Sequence, residues 1–170
     1  MPNKVSHVPT GTRVDVLDNQ VDWVVSDHAC CRPELKLNAE HPDDVFLAKA
    51  GFGGTDFLLS GVLSEGTRRG LALSRIAELL CWNPAQRFGL LNKGTIELGY
   101  DADLPLVDPD ETFVVAAAES ESTQGYSPLE GHQLTGAVKH VFLRGKQIVA
   151  AGRVVGDPSG RYLSRPTTGP

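Results

Sequence analysis

The spacing of apolar positions changes period once along these 170 residues. Up to residue 20 there is no period, and Pro2, Pro9 and Gly11 break the chain. Residues 21–26 form a short apolar run that ends abruptly in Ser26-Asp27-His28. This predicts a buried strand that carries a carboxylate out at its end. Residues 30–54 predict a long loop marked by Pro33, Pro42, Asp43, Asp44, Gly51 and Gly53. Loops that long are uncommon unless functional or disordered. A helical period follows. Phe57, Leu59, Val62 and Leu63 share the inner side of a helix capped by Thr55 or Asp56, running to about Arg69 and ended by Gly70. Residues 71–82 continue helically, with Leu73, Ile76, Ala77 and Leu80 inward. Asn83-Pro84 predicts the cap and first turn of a third helix that Gly89 ends.

From Gly94 the period shortens to two. Residues 95–98, 104–108, 112–117, 137–144 and 146–150 predict strands separated by turn signals. Leu143-Arg144-Gly145-Lys146-Gln147 predicts a tight hairpin, and the Gly/Pro-rich residues 157–170 an extended or frayed tail.

Composition narrows the class. With 41% hydrophobic and 22% charged residues the chain reads as one globular domain. A net charge of -5 argues against nucleic acid and anionic membrane surfaces as partners. No apolar run approaches the roughly 18 residues of a membrane helix, and the start carries no secretory h-region. Three cysteines, Cys30, Cys31 and Cys81, fit a reducing cytoplasm better than a disulfide framework.

Asp27 is the leading candidate for chemistry. A strand-end carboxylate can act as metal ligand and base, and it can equally cap the next turn. His28 either lines a pocket or orients Asp27. Phe52-Gly53 suits a place where backbone approaches a ligand, or simply a glycine-rich loop before a helix. Cys30 and Cys31 read as loop or packing residues unless two further ligands join them. His41, His132 and His140 lack ligand spacing, and there is no His-x-His pair. Residues 119–122 read as a solvated acidic loop.

One ordered set of motifs adds a family. Val24-Val25-Ser26-Asp27-His28-Ala29 is followed by Gly51-Phe52-Gly53-Gly54-Thr55-Asp56-Phe57 and by Asn83-Pro84-Ala85-Gln86-Arg87-Phe88-Gly89-Leu90. Lys93-Gly94-Thr95-Ile96 and Gly99-Tyr100-Asp101-Ala102-Asp103-Leu104 complete it. From about residue 21 to 166 this order resembles the C-terminal part of the cyclic amidohydrolases: dihydroorotases, allantoinases and hydantoinases. The resemblance implies an α/β fold, a TIM-type barrel with a small β-sandwich. This chain would hold only the last barrel strand, the terminal helices and the sandwich, and so read as α+β as it stands. The divisions implied are a divergent segment over 1–20, the barrel part over 21–93, the sandwich over 94–156 and a tail over 157–170.

The resemblance also implies metal-dependent hydrolysis of a ring amide in a small cyclic ureide or imide. Asp27 would bind one metal, zinc in this family with two per complete site, and would move the proton to the leaving nitrogen. Phe52, Gly53, His28 and Cys31 would contact substrate. Cys31 stands where dihydroorotases place a histidine, and Cys30 where proline is usual, which points toward allantoinase, hydantoinase or another relative. The remaining ligands of the family site come from earlier barrel strands, so the site is expected to be incomplete in this chain alone. Homo-oligomerisation or pairing with the missing barrel portion is implied as partner. The alternative is a non-catalytic truncated paralogue that assembles with a full-length amidohydrolase subunit.

Overall fold

A computed structural model describes Val16, residues 20–36 and residues 38–165. The expectation for the first 20 residues therefore lies outside the described residues except at Val16 and Gln20, as does the end of the tail. Two compact units divide the rest. One comprises residues 25–65 and 107–138; the other comprises the described residues up to 24, 66–106 and 139 onward.

In the first unit, short 3-10 turns at Pro33–Leu35 and Val45–Leu47 interrupt the long loop. A further one at Thr55–Phe57 leads into α1, Leu58–Arg68, with Gly70 in the left-handed region just beyond its end. The buried groups of this unit include Cys31, Ser60, Val115, Ala117, Leu134 and Ala137. Here Gly136, at φ 106, lies where an added Cβ would meet Leu63 Cβ at 3.2 Å.

In the second unit, α2 (Leu73–Ala77) runs through a π turn at Glu78–Trp82 directly into α3 (Asn83–Arg87). The amide of Asn83 reaches back five residues to Glu78 O. Pro84 follows with no N–H to offer and a ring that crowds the carbonyl four residues back, which is a recognised cause of relaxed winding. Asn83 is therefore not the cap expected from sequence. Its backbone is helical, and its side chain donates instead to Asp22 O at 2.7 Å. The buried stripe is Ile76 and Leu79, at 2% and 0% exposure, whereas Leu73 is 56% exposed. Ile76 is buried as expected, Leu73 and Ala77 are exposed, and Leu79 rather than Leu80 is the second fully buried position.

The sheet has the order β1-β2-β3-β4, with β1 Leu104–Val114, β2 Gln133–Leu143, β3 Lys146–Ala150 and β4 Arg153–Val154. Strands β2 and β3 pair antiparallel with Leu143 opposite Lys146, and a bulge at Val141/Phe142 shifts the register. Arg144 and Gly145 between them have φ of 49 and 78, the signature of a two-residue turn that matches strand twist. The expected hairpin is present. Of the other strand expectations, two are met in merged form and two are not. Residues 104–108 and 112–117 merge into β1, which passes through Pro109 without a break; an edge strand tolerates that loss of a donor. Residues 95–98 make a turn rather than a strand, because Tyr100 N closes on Glu97 O and Asp101 N on Asn92 O. Residues 21–26 are extended but join no ladder among the described residues.

Candidate functional site

Besides the Asn83 bond to Asp22 O, two more bonds pin the segment before Asp27. Arg75 donates to Val21 O at 2.8 Å, and Val24 N donates to Leu79 O at 3.1 Å. Asp27 itself is exposed with φ 48, in the left-handed region. Aspartate is one of the few non-glycine residues that enters this region readily, yet a sparsely populated backbone state still costs about 1 kcal/mol or more and tends to persist at functional sites. Among the described residues its carboxylate has no hydrogen bond or ion pair.

Directly after Asp27 the backbone meets the glycine-rich loop. His28 and Phe52 form a parallel bridge, and Ala29 N donates to Phe52 O at 2.9 Å. This contact brings Asp27, His28, Phe52 and Gly53 into one neighbourhood, as the sequence set them out. His28 Nδ1 accepts from Gly54 N at 3.2 Å and Thr55 N at 3.4 Å. Two donors at Nδ1 leave the ring proton on Nε2. The same pair of bonds supplies the cap at the head of the Thr55–Phe57 turn, a task expected of Thr55 or Asp56; no side chain there performs it.

Two residues without a sequence signal hold the loop in place. Lys36 donates to Lys49 O at 3.2 Å and to Gly51 O, and its ammonium lies 4.2 Å from the centre of the Phe52 ring and 5.9 Å from that of Tyr126. Gln124 is 1% exposed and packs so closely on Gly53 that an added Cβ would meet its Oε1 at 2.6 Å. Any side chain at 53 would have to displace the buried Gln124 amide. The Gln124 amide donates to Tyr126 O at 3.1 Å, while Gln124 Oε1 and the Tyr126 hydroxyl are buried without partners among the described residues.

In residues 119–122 the two glutamates are exposed, as expected of a solvated acidic loop, while Ser120 and Ser122 are half-buried and bond within this neighbourhood. Ser120 Oγ donates to Asp56, and Cys30 Sγ lies 3.3 Å from Thr123 Oγ1 and 3.9 Å from Ser122 Oγ. An open groove of about 360 Å³ runs past His28, Cys30, Thr55, Asp56, Glu121 and Ser122. Beside it a recess of about 10 Å³, room for one water, is lined by His28, Gly53, Asp56, Ser120 and Tyr126 among others. Asp56, Ser120, Gln124 and Tyr126 lie up to some 100 residues from Asp27 in sequence, and only the fold gathers them.

Cys31 is 7% exposed, with its thiol 3.7 Å from Arg32 O. Cys30 and Cys81 are exposed, and all three are free thiols. Among the described residues no three His, Cys, Asp or Glu side chains come together as a metal-ligand set. A catalytic zinc takes at least three protein ligands, so the donors described here do not by themselves fit a bound metal. No helix among the described residues is long and apolar enough to cross a membrane.

Residues 24–148 match the amidohydrolase family. The chain is 42% identical over 149 residues to an allantoinase from Rubrobacter xylanophilus, covering 87% of this chain and 32% of that protein. A D-hydantoinase from Ralstonia pickettii is 40% identical over 104 residues, 59% of this chain and 23% of its own. Among solved structures, a D-hydantoinase from a Bacillus sp. superposes with a TM-score of 0.85 at 27% identity, covering 94% of this chain and 35% of its own. A D-hydantoinase from a Thermus sp. gives 0.81 at 27% identity, covering 87% and 32%. The chain spans about a third of the length of the allantoinases it matches. The motif order, the contact between the Asp27 segment and the glycine loop, and these matches agree: the chain belongs to the amidohydrolase family.

Proposed function

We propose that this chain contributes to hydrolysis of a ring amide in a small cyclic ureide, the chemistry named by its allantoinase and hydantoinase relatives. The observation that carries the reading is Asp27, exposed, left-handed in its backbone and without a side-chain partner among the described residues, set beside Phe52-Gly53. In this reading Asp27 takes a proton from the attacking water as its oxygen bonds to the ring carbonyl carbon. It then returns that proton to the ring nitrogen as the carbon–nitrogen bond breaks. Phe52 and Gly53 orient the ring through backbone groups, with His28 and Lys36 fixing the loop. The family's metal, zinc by resemblance, would need ligands beyond those described, so no step is assigned to it. Residues 21–93 would be the end of a TIM-type barrel and 94–156 the flanking sandwich.

A second reading has its own observation. Phe46, Ile96 and Leu98 are 94%, 85% and 100% exposed. Each of these side chains would gain by burial against a partner. This favours a non-catalytic relative that assembles with a complete amidohydrolase subunit, or with further copies of itself.

One assay separates the two. The purified chain is incubated with allantoin and with hydantoin, with and without the separately expressed remainder of the Rubrobacter xylanophilus allantoinase. Ring opening that Asp27→Asn abolishes supports the enzymatic reading. Complex formation in which wild type and Asp27→Asn are equally active, or equally silent, supports the second and sinks the first.

A further inference from the structure

Two exposed surfaces of this chain carry opposite charge, and each presents an aromatic ring. The first is a ridge over residues 40–47. Val45 and Phe46 stand 75% and 94% exposed, with Glu40 and Asp43 exposed beside them. Short bonds hold this ridge in shape. Asn38 Oδ1 accepts from Glu40 N and His41 N at 2.9 Å, and Asp44 Oδ1 accepts from Phe46 N at 2.9 Å. The apolar side chains are thus held out in water, and burial against a partner would be favourable. An open groove of about 570 Å³ runs along the ridge, lined by Glu40, Asp43 and Phe46 among others.

The second surface lies around the end of α3. Trp23 and Phe88 meet edge to face at 6.1 Å. The Arg87 guanidinium lies 5.8 Å from the centre of the Trp23 ring, and that of Arg165 lies 5.9 Å from the centre of the Phe88 ring. Phe88 is 41% exposed, and both arginines are exposed. Among the described residues neither arginine pairs with a carboxylate. A guanidinium can stack on an aromatic face and pair with a carboxylate at the same time. The partners this surface lacks, carboxylates and a further ring, are those the ridge presents.

We propose that the ridge over residues 40–47 of one copy docks on the Trp23, Arg87, Phe88 and Arg165 surface of a second copy. In this contact Phe46 covers Phe88, and Glu40 and Asp43 take Arg87 and Arg165. Like charges oppose ridge on ridge and arginine on arginine. The contact is therefore heterologous, with each copy using two different surfaces. The inference deepens the assembly reading above by naming the partner and the residues, and it does not depend on the ring chemistry.

Sedimentation equilibrium on the intact chain over a wide concentration range tests this. The expected result is self-association that weakens as salt is raised. It should also weaken about tenfold or more in Phe46→Ser, which removes an exposed ring from the centre of the contact. Arg87→Gln combined with Arg165→Gln, again at exposed positions, should weaken it as well. Mixing the two variants is decisive. The arginine-deficient chain still offers an intact ridge to the intact arginine surface of the Phe46→Ser chain. The mixture should recover that one contact and stop at two chains. A wild-type chain that stays monomeric, or an association that neither variant weakens, overturns the inference. Weakening by both variants without recovery on mixing overturns it in favour of a single self-matched surface. Complex formation with the remainder of the Rubrobacter xylanophilus allantoinase is read separately, so the assembly reading can stand where this inference falls.

Discussion

Two lysines, Lys36 and Lys93, anchor two different regions, and they do so by opposite means. Lys93 is 12% exposed and sits between carboxylates, 2.7 Å from Asp101 and in contact with Asp103, whose other oxygen takes the Arg144 amide at 2.7 Å. Lys36 meets only neutral acceptors, the carbonyls of Lys49 and Gly51, and the faces of Phe52 and Tyr126. The first arrangement pairs one ammonium with two carboxylates and closes the turn over residues 92–103. The second leaves a positive charge beside the loop that adjoins Asp27 and costs little to open. Stability is expected to concentrate around Lys93 and the helix of Ile76 and Leu79, and adaptability around Lys36, as mobile binding loops are drawn from the less stable parts of a fold.

The sharpest way to break that comparison is at the helix. Leu79 is fully buried and Leu73 largely exposed. Leu79→Ala should cost about 3 kcal/mol, and Leu73→Ala less than about 1 kcal/mol, in urea unfolding. Equal effects would mean that the stripe is misplaced.

Next comes the clamp. Lys93→Met leaves two carboxylates facing each other, at a cost of about 2–3 kcal/mol given their partial exposure. Its pH dependence has a definite sign. Burial alone would push the Asp103 carboxyl up, but the hydrogen bonds from Lys93 and the Arg144 amide, with the charges of both residues, hold it below the usual range. Its contribution is therefore present above about pH 3.9 and lost as pH falls through the lowered value. Burial alone would pull the Lys93 ammonium down, yet hydrogen bonds to Asp101 and Asp103 and their charges hold it above the usual range. That contribution is complete below about pH 10.4 and lost as pH rises through the raised value. Melting temperature against pH should fall at both ends for the wild type, and Lys93→Met should blunt both falls.

At the loop the effect on stability shrinks and the effect on dynamics grows. Lys36→Met removes two hydrogen bonds from a partly exposed ammonium, for about 1 kcal/mol. Amide exchange over residues 49–54 should quicken severalfold while that of the Ile76–Leu79 helix stays unchanged. Quickening in both places would mean that the two regions open as one.

Legibility in the sequence followed how local each cause was. The hairpin at Arg144-Gly145 was readable because the turn requires positive φ at adjacent residues and the sequence supplies a glycine there. Residues 21–26, 95–98 and 137–144 show similar β patterns, yet only the last lies in a ladder. Alternation reports which side chains prefer burial; it does not report whether a neighbouring strand exists. Leu79 was missed because the positions three and four residues after Ile76 both fit helical spacing, and Leu80 was placed inward instead. Asp27, His28, Phe52 and Gly53 were readable as one motif set. Ser120, Gln124 and Tyr126 were not, since their contacts to Asp56 and Gly53 depend on a loop about 70 residues further along the chain.

The smallest effect is also the most diagnostic, and it concerns His28. If its ring mainly caps the Thr55–Phe57 turn through Nδ1, then His28→Ala should cost about 1 kcal/mol, the usual loss for a helix cap. His28→Asn should recover much of that, because the asparagine side-chain oxygen can accept from the same amides. If the Nε2–H also serves a ligand in the groove, the two variants separate. Asparagine would restore stability in urea unfolding and still lose ureide affinity, since its one amide cannot both accept from the turn and reach the groove. Recovery of both properties by asparagine would reduce His28 to a cap. Recovery of stability alone would make it the link between the glycine loop and the substrate, and would place that link in the region Lys36 leaves adaptable.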